Sequence, residues 1–367
     1  MIINLDNQTD LSGLYVVYGG STLIEKEGIY GISHLMEHLI CKSFEHMQDT
    51  YEENGLSWNA YTSPNEIVFH LSGLDDNVNK YKKEFIELLS DFDISKSDFE
   101  KEKRIVLEEY MDSFNDQASS HYLNLERKCY GHYNPIGKRE DLEKLKYIDC
   151  LNFFEKQFLN PSKIINVSKH NEFRSDIKTV NRNIKTDYEF NTDRDFEYEE
   201  GNSFKDKTSL IIKSPVIKDD FSKIKFVNLM LSHGLNSPLY KEVREERGLV
   251  YFISSSINRR NKYGDINIST LTSNDNADEV IEATKKVFSS KDDIINKERF
   301  NIIKKSATIN LKQQDINRHM SVNKWINPDG WNLSECIDSI TLDECGDIYD
   351  KHFNIDDFYI SNSKKEF

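Results

Sequence analysis

The sequence predicts an α+β fold of two similar α/β-sandwich domains, each an antiparallel or mixed sheet covered by helices. Three observations support this. Strand-like and helix-like patterns alternate from residue 14 to residue 169. A similar order of patterns recurs from residue 208 onward. A polar, highly charged stretch separates the two halves. In this 367-residue chain we therefore predict a first domain at 1–180, a linker at 181–205 and a second domain at 206–367.

The first half begins with a strand signal, "LYVVYGG" at 14–20, and continues with a helical stretch from Ile32 to about Lys42. Strand-forming residues on both sides of "TSPNE" predict a hairpin within 56–74. An apolar stripe then predicts a helix; it consists of Val78, Tyr81, Phe85, Leu88 and Leu89.

A second helix is predicted at "SKSDFEKEKRIVLEEYMDSF". Its expected N-cap is Ser97, because Glu100 follows three residues later as in a capping box, and Ser95 is the alternative. A loop with a helix, "YGHYNPIGKREDLEKL", and a strand at 163–169 complete the first half.

The second half repeats this order without an exact sequence repeat. The predicted elements are a strand "TSLIIKSPVI", a helix "SKIKFVNLMLSHG", a helix "LYKEVREERGL", a strand "VYFISSSI", a strand "GDINISTLTS" and a helix "NADEVIEATKKVF". The halves differ at one point: the second has no H-x-x-E-H, and His233 stands alone at that point.

Composition excludes several classes of protein. The net charge of −15 argues against nucleic acid as a ligand, because a phosphate backbone requires a basic surface. No apolar stretch approaches the ~20 residues that span a bilayer, and the N-terminus does not look like a signal peptide. Five widely spaced cysteines without a CxxC pair suggest free thiols in a reducing compartment. We therefore expect a cytoplasmic protein with no membrane partner.

The stretch "GISHLMEHLICKSF" at 31–44 carries the strongest chemical signal. His34 and His38 are four residues apart, so on a helix both imidazoles lie on one face and can reach one zinc ion. Glu37 is placed to take a proton from a water whose pKa the zinc lowers. This spacing is the inverted zinc-peptidase motif H-x-x-E-H. A surface helix with two solvated histidines is the alternative, but the apolar neighbours on this helix favour burial.

A third zinc ligand has to come from elsewhere in the chain. In "FEKEKRIVLEE" at 99–109, Glu102 and Glu109 are seven residues apart, two helical turns along one face. Either glutamate could supply the missing oxygen, and the other could act as an outer hydrogen-bond partner. A solvated acidic helix is the alternative interpretation.

With these segments, the sequence resembles the inverzincin peptidases of the pitrilysin group. That group includes insulin-degrading enzyme, pitrilysin, the mitochondrial processing peptidase and small bacterial relatives. "GISHLMEHLICKSF" is similar to the family's helix motif, "NGLSWNAYTSPNEIVFHLSG" to the strand segment after it, and "FEKEKRIVLEEYMDSFND" to its distal glutamate helix. "HGLNSPLYKEVREERGLVYFISS" is similar to the segment that carries a paired Arg and Tyr.

The resemblance implies a metal site in the first half. His34, His38 and Glu109 would be the zinc ligands, with Glu108 as the competing choice for the third ligand. Glu37 would be the general base, and Glu102 would support the ligands.

The resemblance also implies residues that bind the substrate. Arg244 and Tyr251 would polarise the scissile carbonyl and stabilise the oxyanion. Asn59 and Ala60 would lie on the strand that binds the substrate backbone by strand addition.

The function implied is a zinc-dependent endopeptidase that cleaves short or unfolded peptides in a chamber formed by dimerisation, as a homodimer or as a heterodimer with a related subunit. The alternative is a non-catalytic or partner-dependent subunit of a heterodimeric processing complex. A structural zinc module is disfavoured, because only Cys41 lies near the histidines.

Overall fold

The computed structural model describes residues 1–90, 94–131, 134–170, 172–180, 206–217, 221–260, 263–326 and 333–363. The chain forms two compact units. The first consists of the described residues of Met1–Asp112, Tyr130–Tyr188 and Gln313–Pro328. The second consists of those of Ser113–Cys129, Glu189–Lys312 and Asp329–Phe367. The predicted linker, 181–205, lies outside the described residues.

The first unit contains a five-stranded mixed sheet in the order β1-β5-β2-β4-β3. Its strands are β1 (Ile2–Asp6), β2 (Leu11–Gly19), β3 (Ser57–Thr62), β4 (Glu66–Leu74) and β5 (Lys163–Ser168). The predicted hairpin is β3–β4, with Thr62 opposite Ile67. β1 pairs in parallel with β5, and the other neighbours are antiparallel. Among the described strands, β3 lies at one edge of this sheet and pairs with β4 alone.

Both faces of this sheet contribute residues to a buried cluster. Alternate residues of β2 point to opposite sides, so Leu14 and Val16 join the main core while Tyr15 and Val17 join a smaller cluster. The helices in this part of the sequence are α1 (Ile32–Ser43), α2 (Gln48–Glu53), α3 (Asp75–Ser90), α4 (Lys96–Asn115), α5 (Gln117–Tyr130), α6 (Arg139–Lys144) and α7 (Tyr147–Gln157). Of these, α5 is grouped largely with the second unit.

The second unit contains a four-stranded antiparallel sheet in the order β7-β8-β6-β9. Its strands are β6 (Lys207–Ile217), β7 (Val250–Arg260), β8 (Tyr263–Ser273) and β9 (Tyr359–Asn362). Later in the described sequence come the helices α8 (Phe221–Ser232), α9 (Pro238–Tyr240), α10 (Ala277–Ser289), α11 (Lys291–Ile294), α12 (Lys297–Ile316), α13 (Asn323–Ile326) and α14 (Leu342–His352). Of these, α13 and the end of α12 are grouped with the first unit. Both sheets share an antiparallel core of four strands, which confirms the prediction of two similar α/β domains.

The second sheet also has a polar side. The α5 residue His121 bonds to the hydroxyls of Ser209 and Ser361 at 3.0 and 2.8 Å, and its own side chain is fully buried. Glu126 forms a buried ion pair with Lys213. The segment 113–129 therefore belongs with this sheet through polar contacts.

Two local predictions need correction. Ser95, and not Ser97, caps α4, since its hydroxyl accepts the Asp98 amide at 3.0 Å. The helix expected over 239–249 is split, because α9 stops at Tyr240 and Lys241–Glu246 winds as a π-helix. None of the described helices combines the length and the apolar character needed to cross a bilayer.

Candidate metal centre

The helix α1 presents both histidines of the H-x-x-E-H motif. It begins after Gly31, which has a left-handed backbone with φ of 97°. Its apolar face is buried in the core, namely Ile32, Leu35, Met36, Leu39 and Ile40. Because that face packs into the core, His34 and His38 lie on the opposite side of α1, where their side chains are 16% and 19% exposed. Their rings meet edge to face with centroids 4.8 Å apart.

The helix α4 supplies the carboxylates opposite these rings. Val106 is fully buried and fixes the rotation of α4, so Glu102 and Glu109 lie on the face toward α1. Glu109 Oε2 lies 3.5 Å from His34 Nε2 and 3.6 Å from His38 Nε2. Glu102 Oε2 lies 3.6 Å from His38 Nδ1. Both glutamates thus face the histidines, as the seven-residue spacing predicts.

Among the described residues, His34, His38 and Glu109 form a cluster that could hold a metal ion, with ligand atoms within 4.8 Å of one another. Atoms that coordinate a tetrahedral zinc at about 2.0–2.2 Å are separated by roughly 3.3–3.6 Å. The two distances to Glu109 fall in that range. Two imidazoles and one carboxylate are also a donor set typical of catalytic zinc. The residues present therefore fit the ion.

The protonation state of His34 suits a metal ligand. Burial, together with the neighbouring His38, lowers the pKa of His34 to about 4, so the ring is neutral near pH 7. Its Nδ1 atom is buried and has no hydrogen-bond partner among the described residues. A neutral imidazole is the form that binds a metal, and the His34 nitrogen that faces Glu109 is Nε2.

Glu37 lies beside this cluster and is held by a residue of β3. The Thr62 hydroxyl donates a hydrogen bond to Glu37 Oε2. Burial raises the pKa of Glu37, and the Thr62 hydrogen bond opposes that rise. A carboxylate with a raised pKa is better suited to accept and return a proton. Thr62 was not singled out from the sequence, since only the strand pairing brings it against α1.

Glu108 is exposed and is not part of the cluster. It follows Leu107 on α4 and is turned about 100° from Glu109 around the helix axis. The geometry therefore favours Glu109 over Glu108 as the candidate third ligand.

Asn59 and Ala60 lie on the edge strand β3, as a strand-addition site requires. Asn59 is exposed, and its side-chain oxygen accepts the Ala60 amide at 2.8 Å.

Arg244 and Tyr251 belong to the second unit, where they contact each other. The Arg244 guanidinium carbon lies 5.2 Å from the centre of the Tyr251 ring and 4.8 Å from that of Tyr240. Tyr251 is 85% exposed, which is unusual for an aromatic side chain on a strand. His233, also in this half, is in contact with the Ser306 hydroxyl.

Comparison with protein families identifies two matching models. Residues 2–134 match "Insulinase (Peptidase family M16)", and residues 160–307 match "Peptidase M16 inactive domain". Together the two ranges cover well over half of the chain. The second description agrees with the absence of H-x-x-E-H from that half.

Several curated proteins are similar in sequence. An "Uncharacterized zinc protease" of Rickettsia felis is 21% identical over 355 residues, covering 88% of this chain and 85% of that protein. A "Probable mitochondrial-processing peptidase subunit beta, mitochondrial" of Arabidopsis thaliana is 21% identical over 197 residues, covering 50% of this chain and 36% of that protein.

Solved structures share the fold. A protease from Helicobacter pylori superposes with a TM-score of 0.83 at 16% identity, over 99% of this chain and 97% of that one. A peptidase M16 inactive domain from Pseudomonas fluorescens gives 0.78 at 15% identity, over 98% of this chain and 94% of that one.

Proposed function

Since this chain belongs to the M16 peptidase family and carries both of its domains, we propose that it is a zinc-dependent endopeptidase. The observation that carries the proposal is the cluster of His34, His38 and Glu109 with Glu37 beside it. Zinc protease is also the name of the Rickettsia relative.

In this proposal His34, His38 and Glu109 hold the zinc, and Glu102 orients His38 through its Nδ1 atom. Zinc in such a site lowers the pKa of a water molecule and polarises the scissile carbonyl. Glu37 accepts the proton from the attacking water and delivers it to the leaving amine. Thr62 keeps the Glu37 carboxylate in one orientation.

The substrate is proposed to be a short or unfolded peptide. The open edge of β3 at Asn59 and Ala60 would pair with an extended peptide backbone. Arg244 and Tyr251 would stabilise the oxyanion as it develops. The exposed ring of Tyr251 and the adjoining guanidinium support an assignment to substrate.

A peptide library tests the activity. The purified protein would be stripped of metal with a chelator, reloaded with zinc, and incubated with mixed peptides whose products are read by mass spectrometry. We expect cleavage by the zinc-loaded protein and none by the stripped protein. Cleavage that survives complete removal of metal would overturn the zinc mechanism.

We further propose that two such chains, or this chain and a related subunit, assemble in the cytoplasm around a shared chamber. The Arabidopsis relative is named as a subunit, which supports assembly. The same name supports the alternative function, in which this chain is a subunit that needs a partner for activity. Mixing Glu37→Gln with Arg244→Ala protein tests a shared site in a homodimer. Recovery of activity after subunit exchange is expected, and its absence would argue for self-contained sites.

A further inference from the structure

Two buried carboxylates hold the loop from which the histidine helix starts. Glu25 Oε2 accepts the Gly31 amide and Glu25 Oε1 accepts the Ser33 amide, both at 2.8 Å. Gly31 is the N-cap of α1, and as a glycine it has no side chain that could cap the helix. Glu25 therefore performs the capping role from six residues upstream of Gly31, and its second bond ends at the residue directly before His34.

Asp141 holds the other half of the same loop. Asp141 Oδ2, on α6, accepts the Gly28 amide at 2.9 Å and the Tyr30 amide at 3.2 Å. Four amides within the six residues 28–33 are thus fixed by two carboxylates, each no more than 6% exposed.

The other side of the loop packs closely against the backbone at Gly137 and the side chain of Leu142. Gly31 and Gly137 both have left-handed φ values. A Cβ on Gly137 would lie 2.4 Å from the Gly31 Cα, and a Cβ on Gly31 would lie 2.8 Å from the Leu142 side chain. The loop is therefore packed against neighbouring backbone while the carboxylates hold its amides.

Keeping two acids this close together inside the protein is unfavourable. Burial and, to a smaller extent, the neighbouring Asp141 raise the pKa of Glu25 to about 7 despite its two amide bonds. A neutral N-cap such as Ser or Asn would satisfy a helix start without that penalty. The arrangement is explained if the start of α1 has to be fixed more tightly than ordinary capping achieves.

We propose that Glu25 and Asp141 are positioning residues of the metal site, which fix the first turn of α1 so that His34 faces Glu109 at ligand distance. This inference rests on the proposed zinc site. It predicts that loss of either carboxylate weakens zinc binding although neither touches the metal cluster.

The test measures zinc affinity of the folded protein by competition with a chromogenic chelator. Glu25→Gln keeps the size of the side chain but puts an amide nitrogen where an acceptor is needed. We expect its affinity for zinc to fall about tenfold or more, the range typical of partners outside the ligand shell. Asp141→Asn, whose carboxylate holds amides farther from His34, should weaken zinc binding less.

Two control variants separate positioning from general destabilisation. Asp75→Asn removes another buried carboxylate of the same unit, one that accepts from Ser168 and Lys169. It should lower the melting temperature and leave zinc affinity unchanged. Glu27→Gln, at an exposed position of the same loop, should change neither.

The outcomes distinguish the two hypotheses. A Glu25→Gln protein that melts earlier without zinc but binds zinc as tightly as wild type would overturn the positioning role and leave the proposed function intact. If the wild-type protein binds no zinc, both the positioning role and the proposed function are wrong. If Glu25→Gln does not fold, the test uses Asp141→Asn, and unchanged zinc affinity in that variant would likewise overturn the positioning role. In active protein we expect kcat at limiting zinc to fall while KM stays near its wild-type value.

Discussion

The hydrogen bond from Thr62 to Glu37 gives the sharpest prediction about catalysis. Thr62→Val replaces the hydroxyl by a methyl group of similar size and removes the donor to Glu37 Oε2. The bond stabilises the ionised carboxylate and so lowers its pKa against the rise caused by burial. Without the bond, the pKa of Glu37 should rise further.

The size of the effect follows from the kind of bond lost. A hydrogen bond to a charged group contributes about 1.5–3 kcal/mol, and one pKa unit corresponds to about 1.4 kcal/mol. The bond is only partly shielded from solvent, so we take the lower end and expect a rise of about one unit. A base with a higher pKa remains protonated up to a higher pH, and the protonated form cannot accept a proton from water. Activity should therefore be lost at higher pH than in wild type.

The assay is the pH dependence of kcat/KM on a fluorogenic peptide at saturating zinc. We expect the acidic limb of the Thr62→Val profile to move up by about one pH unit, with activity approaching wild type at alkaline pH. Ser63→Ala is the control, because the Ser63 hydroxyl donates to Glu66 and not to Glu37. A uniform loss of activity at all pH values, with the limb unmoved, would refute this reasoning.

Three further predictions concern separate parts of the molecule. Glu109→Gln should weaken zinc binding by more than the roughly 10–100-fold that loss of an outer partner costs, and Glu108→Gln should leave it unchanged, as equilibrium dialysis can measure. Arg244→Ala should lower kcat about 10²–10³-fold with zinc content unchanged, and equal kcat values for variant and wild type would exclude an oxyanion role. Burial lowers the pKa of His121 to about 4, so its ring stays neutral in the folded state while the unfolded chain takes up a proton below about pH 6.5. Stability should therefore fall by about 3 kcal/mol between pH 6.5 and pH 4, and urea unfolding of His121→Asn should lack that part of the pH dependence.

Signals that are local in sequence predicted most of the fold. The apolar spacing around Phe85 gave α3, and the turn "TSPNE" gave the β3–β4 hairpin. The H-x-x-E-H spacing placed His34 and His38 on one face, because a helix brings residues four apart together whatever surrounds it.

Features that depend on distant contacts could not be predicted in this way. The β1 strand pairs with β5 across the whole first half of the chain, and nothing near Ile2 signals that partner. The buried face of α5 is polar, since His121 and Glu126 find partners on the second sheet, so hydrophobic periodicity does not reveal it. Thr62 and Glu25 gain their roles only when strand pairing and loop packing bring them to α1.

The sequence also could not decide between neighbouring residues of the same chemical type. Ser95 and Ser97 are both acceptable caps by sequence, and the first turn of α4 decides for Ser95. Glu108 and Glu109 are also chemically equivalent in the sequence. The rotation of α4, set by Val106 in the core, directs Glu109 toward the histidines.

The most direct test of the zinc peptidase proposal compares zinc content and peptide cleavage in the same samples of wild type and Glu37→Gln. We predict equal zinc in both proteins and a fall in cleavage of about 10²–10⁴-fold in the variant, because the ligands remain and only the base is lost. Undiminished cleavage by zinc-loaded Glu37→Gln would contradict the role of Glu37 and with it the proposed mechanism.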